Sequence, residues 1–489
     1  MCAWFKKFAD RSIGKNEERS ETIERSAVVT RVTEPKAPRR RVTIGLDFGT
    51  SSSKCCYLEE GPGKRFTAVV FKGADHPCLL YRTIARHTGG VLQFGPDLDA
   101  GDGGEVVRSF KMCLLCQARN EEGGESLECS RCSSKRPGHF HFGELWMSAE
   151  DLSTLYLSVI LSEVLASLHI FLGTEPGSVR VQVNAAAPLD QLKEFGSVEE
   201  YFKRSFFYAL RLAESRAPRR EWAVQDAMDS LKRVREEPVP EDSMSPSRVF
   251  PETHAAITAY ALLPQSEKGL YAIVDIGAGT TDVSFFWLQK DEATTAAWYY
   301  AAGTESVGMD DVDRALVGVL SKTADLRTAR EALSNKQLSK HSDLIKPVER
   351  RVYKHYARVH KAATVVDQRD RAWCKMGVCQ FKLFLVGGGS RCRPLVQRLR
   401  KEPLLSISWA SRPEELSVPE KMAALLPAGR VSTIRDLKLS SDAPLMLLAL
   451  GLSHRRVDIP KYARDETGVP KKVQGVKEGW TVEEMYGYF

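Results

Sequence analysis

Asp47 and Asp275 each close an apolar, β-branched run and open a turn of glycines and hydroxyl residues, in IGLDFGTSSSK (Ile44 to Lys54) and VDIGAGTTDVS (Val274 to Ser284). A carboxylate at a strand end before such a turn suits phosphate and magnesium chemistry. Gly49, Gly277 and Gly279 let the backbone approach an anion, while the turns through Thr50, Ser51, Ser52, Thr280 and Thr281 offer successive N–H groups as a concave nest for phosphate oxygens. Mg²⁺ keeps several waters and takes one or two carboxylates, which Asp47 and Asp275 can supply. One such turn is an ordinary hairpin, since Gly, Asp and Thr are common turn formers. Two copies about 230 residues apart point to a paired phosphate site.

A third segment, LVGGGSRCRP (Leu385 to Pro394), completes the pattern. It offers a strand over Phe381 to Val386, then Gly387, Gly388, Gly389, Ser390 and Arg391, and a helix from about Pro394, a turn suited to a nucleoside. This order of two phosphate hairpins and a glycine-rich turn resembles the actin-like ATPase superfamily, which includes actin, sugar kinases and DnaK-type heat-shock chaperones. The resemblance implies an α/β fold of two actin-like lobes, each ribonuclease-H-like and related by duplication, with ATP/ADP and Mg²⁺ bound between them.

Finer segments resemble the DnaK type. FPETHAAITAY (Phe250 to Tyr260) looks like its connecting helix, placing Glu252 beside the γ-phosphate, and RSFKMCL (Arg108 to Leu114) resembles the stretch that carries its catalytic lysine, here Lys111. SVGMDDVDRAL (Ser306 to Leu316) resembles the second connecting segment, with Gly308 and Asp311 in matching places. RTAREALS (Arg327 to Ser334) resembles the adenine-contacting helix, so Arg330 and Ser334 carry over, but Glu331 replaces the family's stacking Arg and leaves the base clamp to Arg391. Ala278 stands where a third glycine is common. The resemblance covers about Val42 to Ser453. It implies a slow, Mg-dependent ATPase in which Glu252 and Lys111 orient the attacking water and which acts through a protein partner. Two alternatives stay open: a module that binds ATP without turning it over, and a small-molecule kinase of the same superfamily.

Elements that position these residues are partly legible. Residues 1–41 are charged and polar and read as a tether. Ser148, with Asp151 three residues on, starts a long buried helix that runs to about Phe171 and stops at Gly173. Val179 to Asn184 alternates as a strand, Val198 to Arg235 reads as helical and charge-rich, and His254 reads as a solvated or capping residue. The lobe is expected to finish near Pro444 to His454. Only about 95 residues follow the nucleoside turn, too few for the peptide-binding domain and lid of the chaperones, and 455–489 reads as a docking tail.

Cysteine spacing adds a second chemistry. Cys113, Cys116, Cys129 and Cys132 form C-x₂-C-x₁₂-C-x₂-C, the spacing of a zinc ribbon, and four thiolates close a tetrahedral Zn²⁺ site at about 2.3 Å per bond with no position left for catalysis. The insertion is expected over 113–141, with His139 and His141 as alternative ligands. No export signal precedes it, so a cytoplasmic location favours metal over disulfides.

At 489 residues with 43% apolar content the chain can fill more than one core. A net charge of +7 is too dilute to indicate nucleic acid. The longest uninterrupted apolar run, Leu445 to Leu452, is far short of the ~20 residues of a membrane span.

Overall fold

β-branched and apolar residues in RRVTIGLD form strand β1 (Arg40–Asp47), buried along its last six residues. It returns as β2 (Ser52–Glu59), antiparallel, with Asp47 opposite Lys54. The structure, a computed structural model, describes residues 40–60, 66–73, 77–98, 104–121, 138–175, 178–188, 196–215, 219–238, 247–261, 266–290, 295–320, 330, 333–369, 381–401, 414–415 and 443–454. The compact unit that contains them begins at Arg40, two residues before the expected boundary, because Arg40 and Arg41 already pair with Val179 and Arg180. The expected tether and tail lie outside the described residues, apart from these two arginines.

β1 pairs in parallel with β3 (Val179–Ala187), and β3 in parallel with β4 (Ser247–Pro251). Parallel neighbours need crossovers. Helices supply them: α1 (Phe110–Glu121) and α2 (Ala149–Leu172) before β3, then α3 (Gly196–Ser215) and α4 (Val224–Glu236) before β4. The second sheet repeats the plan. Its hairpin joins β5 (Gly269–Ile276) to β6 (Thr281–Lys290), continues antiparallel into β7 (Thr295–Glu305), and its parallel neighbour is β8 (Phe381–Val386), reached through a crossover that holds α6 (Met309–Ala315) and α7 (Ser342–Arg369). The connecting helix α5 (Glu252–Ala261) leaves β4 directly, and α8 (Arg393–Lys401) follows the third glycine motif. The chain is thus a mixed α/β protein with two principal sheets of matching topology.

Helix α2 starts and stops where its caps require. Ser148 accepts the Asp151 N–H at 3.0 Å, and Gly173 ends the helix in the left-handed region. At 24 residues, with an 18-residue window of mean hydropathy 1.9, it is long and apolar enough to cross a membrane, contrary to the reading from uninterrupted runs alone. Its role here is that of a core helix: most of its residues are buried, and its acids Glu150, Asp151 and Glu163 pair with Arg204, Arg235 and Arg220. The span 198–235, expected to be helical, holds the two helices α3 and α4, interrupted where Glu221–Ala223 pairs as a strand with Val91–Gln93 and buries Trp222.

After a 3-10 turn at Ala443–Met446, α9 (Leu447–Leu452) packs against β1 and α5. The contact is backbone to backbone: a Cβ at Gly45 would strike the Ala449 carbonyl, and one at Gly451 the Ala255 carbonyl. Buried Asn184 on β3 fastens it, donating to the carbonyls of Leu452 at 2.7 Å and His454 at 2.9 Å.

Candidate phosphate and magnesium site

The first hairpin turn is tight for a local reason. Gly49 N–H donates to the Asp47 carbonyl at 3.1 Å, and a Cβ on Gly49 would collide with the Ser52 carbonyl. Behind the turn, Thr83 donates its hydroxyl to the Gly49 carbonyl at 2.7 Å and its N–H to the Ser51 carbonyl at 3.1 Å. In front, Lys54 Nζ stands 2.8 Å from Asp47 Oδ2.

The second turn is closed by Gly277 N–H on the Thr280 carbonyl at 2.9 Å. α6 docks on it, with Met309 and Asp310 donating N–H groups to the carbonyls of Gly277 and Ala278 at 3.0 and 2.9 Å. Gly308 is required there, since a Cβ would meet the Gly277 carbonyl at 2.8 Å, and its N–H donates to Asp311 Oδ2 at 2.9 Å. The third motif lies over the same strand end: Gly387, at φ +74°, leaves no room for a Cβ against Asp275 and Ile276. Ser390 donates to the Gly387 carbonyl at 2.7 Å, and Gly388 and Arg391 are exposed.

The two hairpins meet. A Cβ on Gly279 would lie 3.5 Å from the Thr50 methyl and 3.0 Å from the Met112 sulfur. Ser109, in the left-handed region at φ +55°, sends its hydroxyl 3.3 Å to Asp310 and starts α1, with Met112 N–H returning to its carbonyl. One residue into that helix, Lys111 Nζ pairs with Glu252 Oε1 at 2.6 Å, the two residues 2% and 8% exposed. Glu252 is there because β4 ends at Pro251 and α5 begins with it.

Electrostatics define the site's requirement. Burial pulls the Lys111 pKa down, but Glu252, Asp47 and Asp282 outweigh it, so the ammonium ends above its ordinary value and stays charged. Enclosure by protein raises Asp275, Glu252 and Asp47 raise it further, and Lys54 and Lys111 only partly offset them, leaving its carboxyl at about 7. Four carboxylates against two ammonium groups leave this cleft short of positive charge. A hydrated Mg²⁺ fits the donor set, because it takes one or two carboxylates and keeps its own waters. Among the described residues no three His, Cys, Asp or Glu side chains form a closed metal cage.

On the nucleoside side, Arg330 pairs with Asp313, and both lie beside Cys392 of the third motif. Ser334 caps the short helix Asn335–Lys340 by accepting from Gln337 N–H, and Asn335 in turn accepts from Arg393 N–H at 3.2 Å. Arg330 and Ser334 are therefore brought to the third turn, while the rest of the expected adenine helix lies outside the described residues, Leu333 excepted. Thr280 donates to Asp282 at 3.4 Å and Thr281 to the Val307 carbonyl at 2.7 Å. His254 is not solvated: it is buried and stacks on Tyr299 at 5.3 Å.

Cys113 and Cys116 stand one turn apart on α1, with Cys113 fully buried in the apolar core. The first half of the expected knuckle is thus helix. Cys129 and Cys132 lie outside the described residues, and His139 and His141 belong to the short strand His139–Phe142.

Four residues near the turns escaped sequence reading: Lys54, Thr83, Tyr156 and Asp282. The hairpin register alone, with Asp47 opposite Lys54 and Asp275 opposite Asp282, would have flagged two of them. Asp282 is buried and accepts from Thr304 at 2.6 Å.

No family model matches the chain. A stretch of 91 residues, 19% of this chain, is 34% identical to the "Chaperone protein HscA homolog" of Vibrio vulnificus (strain CMCP6). That stretch spans 14% of the relative's length. This local likeness supports a distant relationship to the heat-shock 70 class of chaperones.

Proposed function

We propose that the chain binds Mg·ATP between the two hairpins of an actin-like, two-lobed ATPase of DnaK type and hydrolyses it slowly. One observation carries the reading: the buried Lys111–Glu252 pair, Asp47 and Asp275 converge where two phosphate-type turns face each other. Gly49 and Gly277 close the two turns, and the amides that follow them, over Thr50 to Ser52 and Ala278 to Thr281, cradle phosphate oxygens. Mg²⁺, held through water by Asp47 and Asp275, would neutralise charge on the phosphates. Glu252 accepts a hydrogen bond from the attacking water, and Lys111, 2.6 Å from its Oε1, orients that carboxylate. Gly387 to Arg391, Arg330 and Ser334 line the nucleoside end, and Gly308 fixes the second turn. Positioning and fixed charge supply most of phosphoryl-transfer catalysis.

Glu252→Ala and Lys111→Ala are expected to keep Mg·ATP binding and to lower turnover by about 10²-fold or more, as for loss of a positioned catalytic group. Tight ATP binding without turnover in the wild type would favour a switch ligand instead, and transfer of phosphate to a metabolite would favour a kinase. We assign the protein to the cytoplasm and its output to a protein partner.

For zinc, Cys113 and Cys116 share a helix face, and the chain returns at Gly138 against Gln117, so the segment with Cys129 and Cys132 begins and ends beside them. A structural Zn²⁺ on the four thiolates predicts close to one zinc per chain by atomic absorption, lost in Cys116→Ser. Zinc well below that level would refute it.

A further inference from the structure

Thr83 and Tyr156 lie outside every motif, yet both are buried directly behind the first hairpin. Thr83 holds two carbonyls of that turn, Gly49 with its hydroxyl at 2.7 Å and Ser51 with its N–H at 3.1 Å. In a planar trans peptide the C=O and the following N–H point in opposite directions. Pinning the Gly49 carbonyl rearward therefore turns the Thr50 N–H forward, and pinning the Ser51 carbonyl does the same for Ser52. Forward is the direction of the second hairpin, since the Thr50 methyl faces Gly279.

Tyr156 keeps Thr83 in place. Its hydroxyl stands 3.2 Å from Thr83 Oγ1, 2.9 Å from Ser53 Oγ and 3.1 Å from the Tyr81 carbonyl. With Thr83's one proton on Gly49, the proton that joins the two hydroxyls is that of Tyr156, which Ser53 Oγ and the Tyr81 carbonyl share as acceptors. The phenol ring cannot drift, because Phe48, Tyr81, Phe94 and Phe110 surround it at centroid distances of 5.0 to 6.1 Å. Burial holds the phenol in its protonated, donating form.

We propose that Thr83, locked by Tyr156, is a positioning residue that aims the Thr50 and Ser52 amides at the nucleotide's phosphates. The inference rests on the Mg·ATP reading and assigns the aim of the first turn to two side chains that do not touch the ligand.

Its test separates phosphate from nucleoside. Mg·ADP and adenosine affinities are measured by calorimetry for the wild type, Thr83→Val, Thr83→Ser and Tyr156→Phe. Thr83→Val keeps the shape but not the hydroxyl and is expected to weaken Mg·ADP about tenfold, the loss of one charge-assisted hydrogen bond, with adenosine unchanged. Tyr156→Phe is expected to weaken Mg·ADP about threefold, a partial loss of the same bond, and Thr83→Ser to stay at the wild-type level. Wild-type affinity for Mg·ADP in both Thr83→Val and Tyr156→Phe, or an equal loss for adenosine, would overturn the positioning role while leaving the ATP reading intact. A wild type that binds neither ligand would overturn both.

Discussion

Replacing Lys111 with Met removes the ammonium that stands 2.6 Å from Glu252 Oε1, in a pair whose side chains are 3% and 10% exposed. Glu252 is then left with Asp47 and Asp275, and Lys54 is the cation that remains among them. Stripping one partner from a buried ion pair costs about 3–5 kcal/mol. The unit from Arg40 to Phe489 unfolds with about 2.1 cal/mol/K per residue, roughly 0.9 kcal/mol/K for its length. The thermal midpoint of Lys111→Met is therefore expected to fall by about 3–5 °C. Glu252→Gln keeps a neutral acceptor and leaves Lys111 with Asp47 and Asp282 as counter-charges, so its fall is smaller, about 1–2 °C. The double variant removes both charges at once. Its fall should be less than the two single falls combined, by a coupling of about 2 kcal/mol. Scanning calorimetry of the nucleotide-free protein reads all four midpoints. Additive falls, or no shift in Lys111→Met, would refute the claim that the two charges stabilise each other.

Asp275 carries the pH dependence. Its carboxyl, raised to about 7 from 3.8, contributes stability that is fully present below the unfolded value and lost as pH rises through the folded one. Asp275→Asn should thus gain on the wild type between about pH 4 and 8, and a midpoint difference that stays flat across buffers would count against it. Gly451→Ala forces a methyl into the Ala255 carbonyl and should cost about 3 kcal/mol or more. Gly318→Ala meets nothing within 4 Å and should stay within about 0.5 kcal/mol of the wild type; equal urea midpoints for the two would contradict the packing described. Asn184→Ala leaves two buried carbonyls without their donor and should cost about 2–4 kcal/mol, read in the same titration.

What the sequence made legible was local. The Asp-Gly turns, the Ser148 and Gly173 caps of α2 and the strand Phe381–Val386 are each written within a few neighbouring residues, and the structure has those elements at those positions. What escaped it was long-range. Thr83 is 34 residues from Gly49 and Tyr156 is 103 from Ser53, and nothing about a lone Thr or an apolar-face Tyr announces such a partner. His254 read as solvated or capping from its place just after Glu252, yet every residue of α5 is buried. The break at Glu221–Ala223 has the same origin: a strand pairing formed with Val91–Gln93 outweighs local helical charge patterning.

The seating of α9 on β1 and α5, through Gly45 and its own Gly451, also sets a schedule for synthesis. β1 leaves the ribosome well before the helix that covers it, which is made about 400 residues later. At ~5–20 residues per second, the nascent first sheet waits roughly 20–80 s with that face open. During this interval it presents the apolar ends of β1 and β3 and the unmet amide of Asn184 to whatever else is in the cell. A chain of this plan therefore leaves exposed, while it is being made, the surface that α9 will occupy.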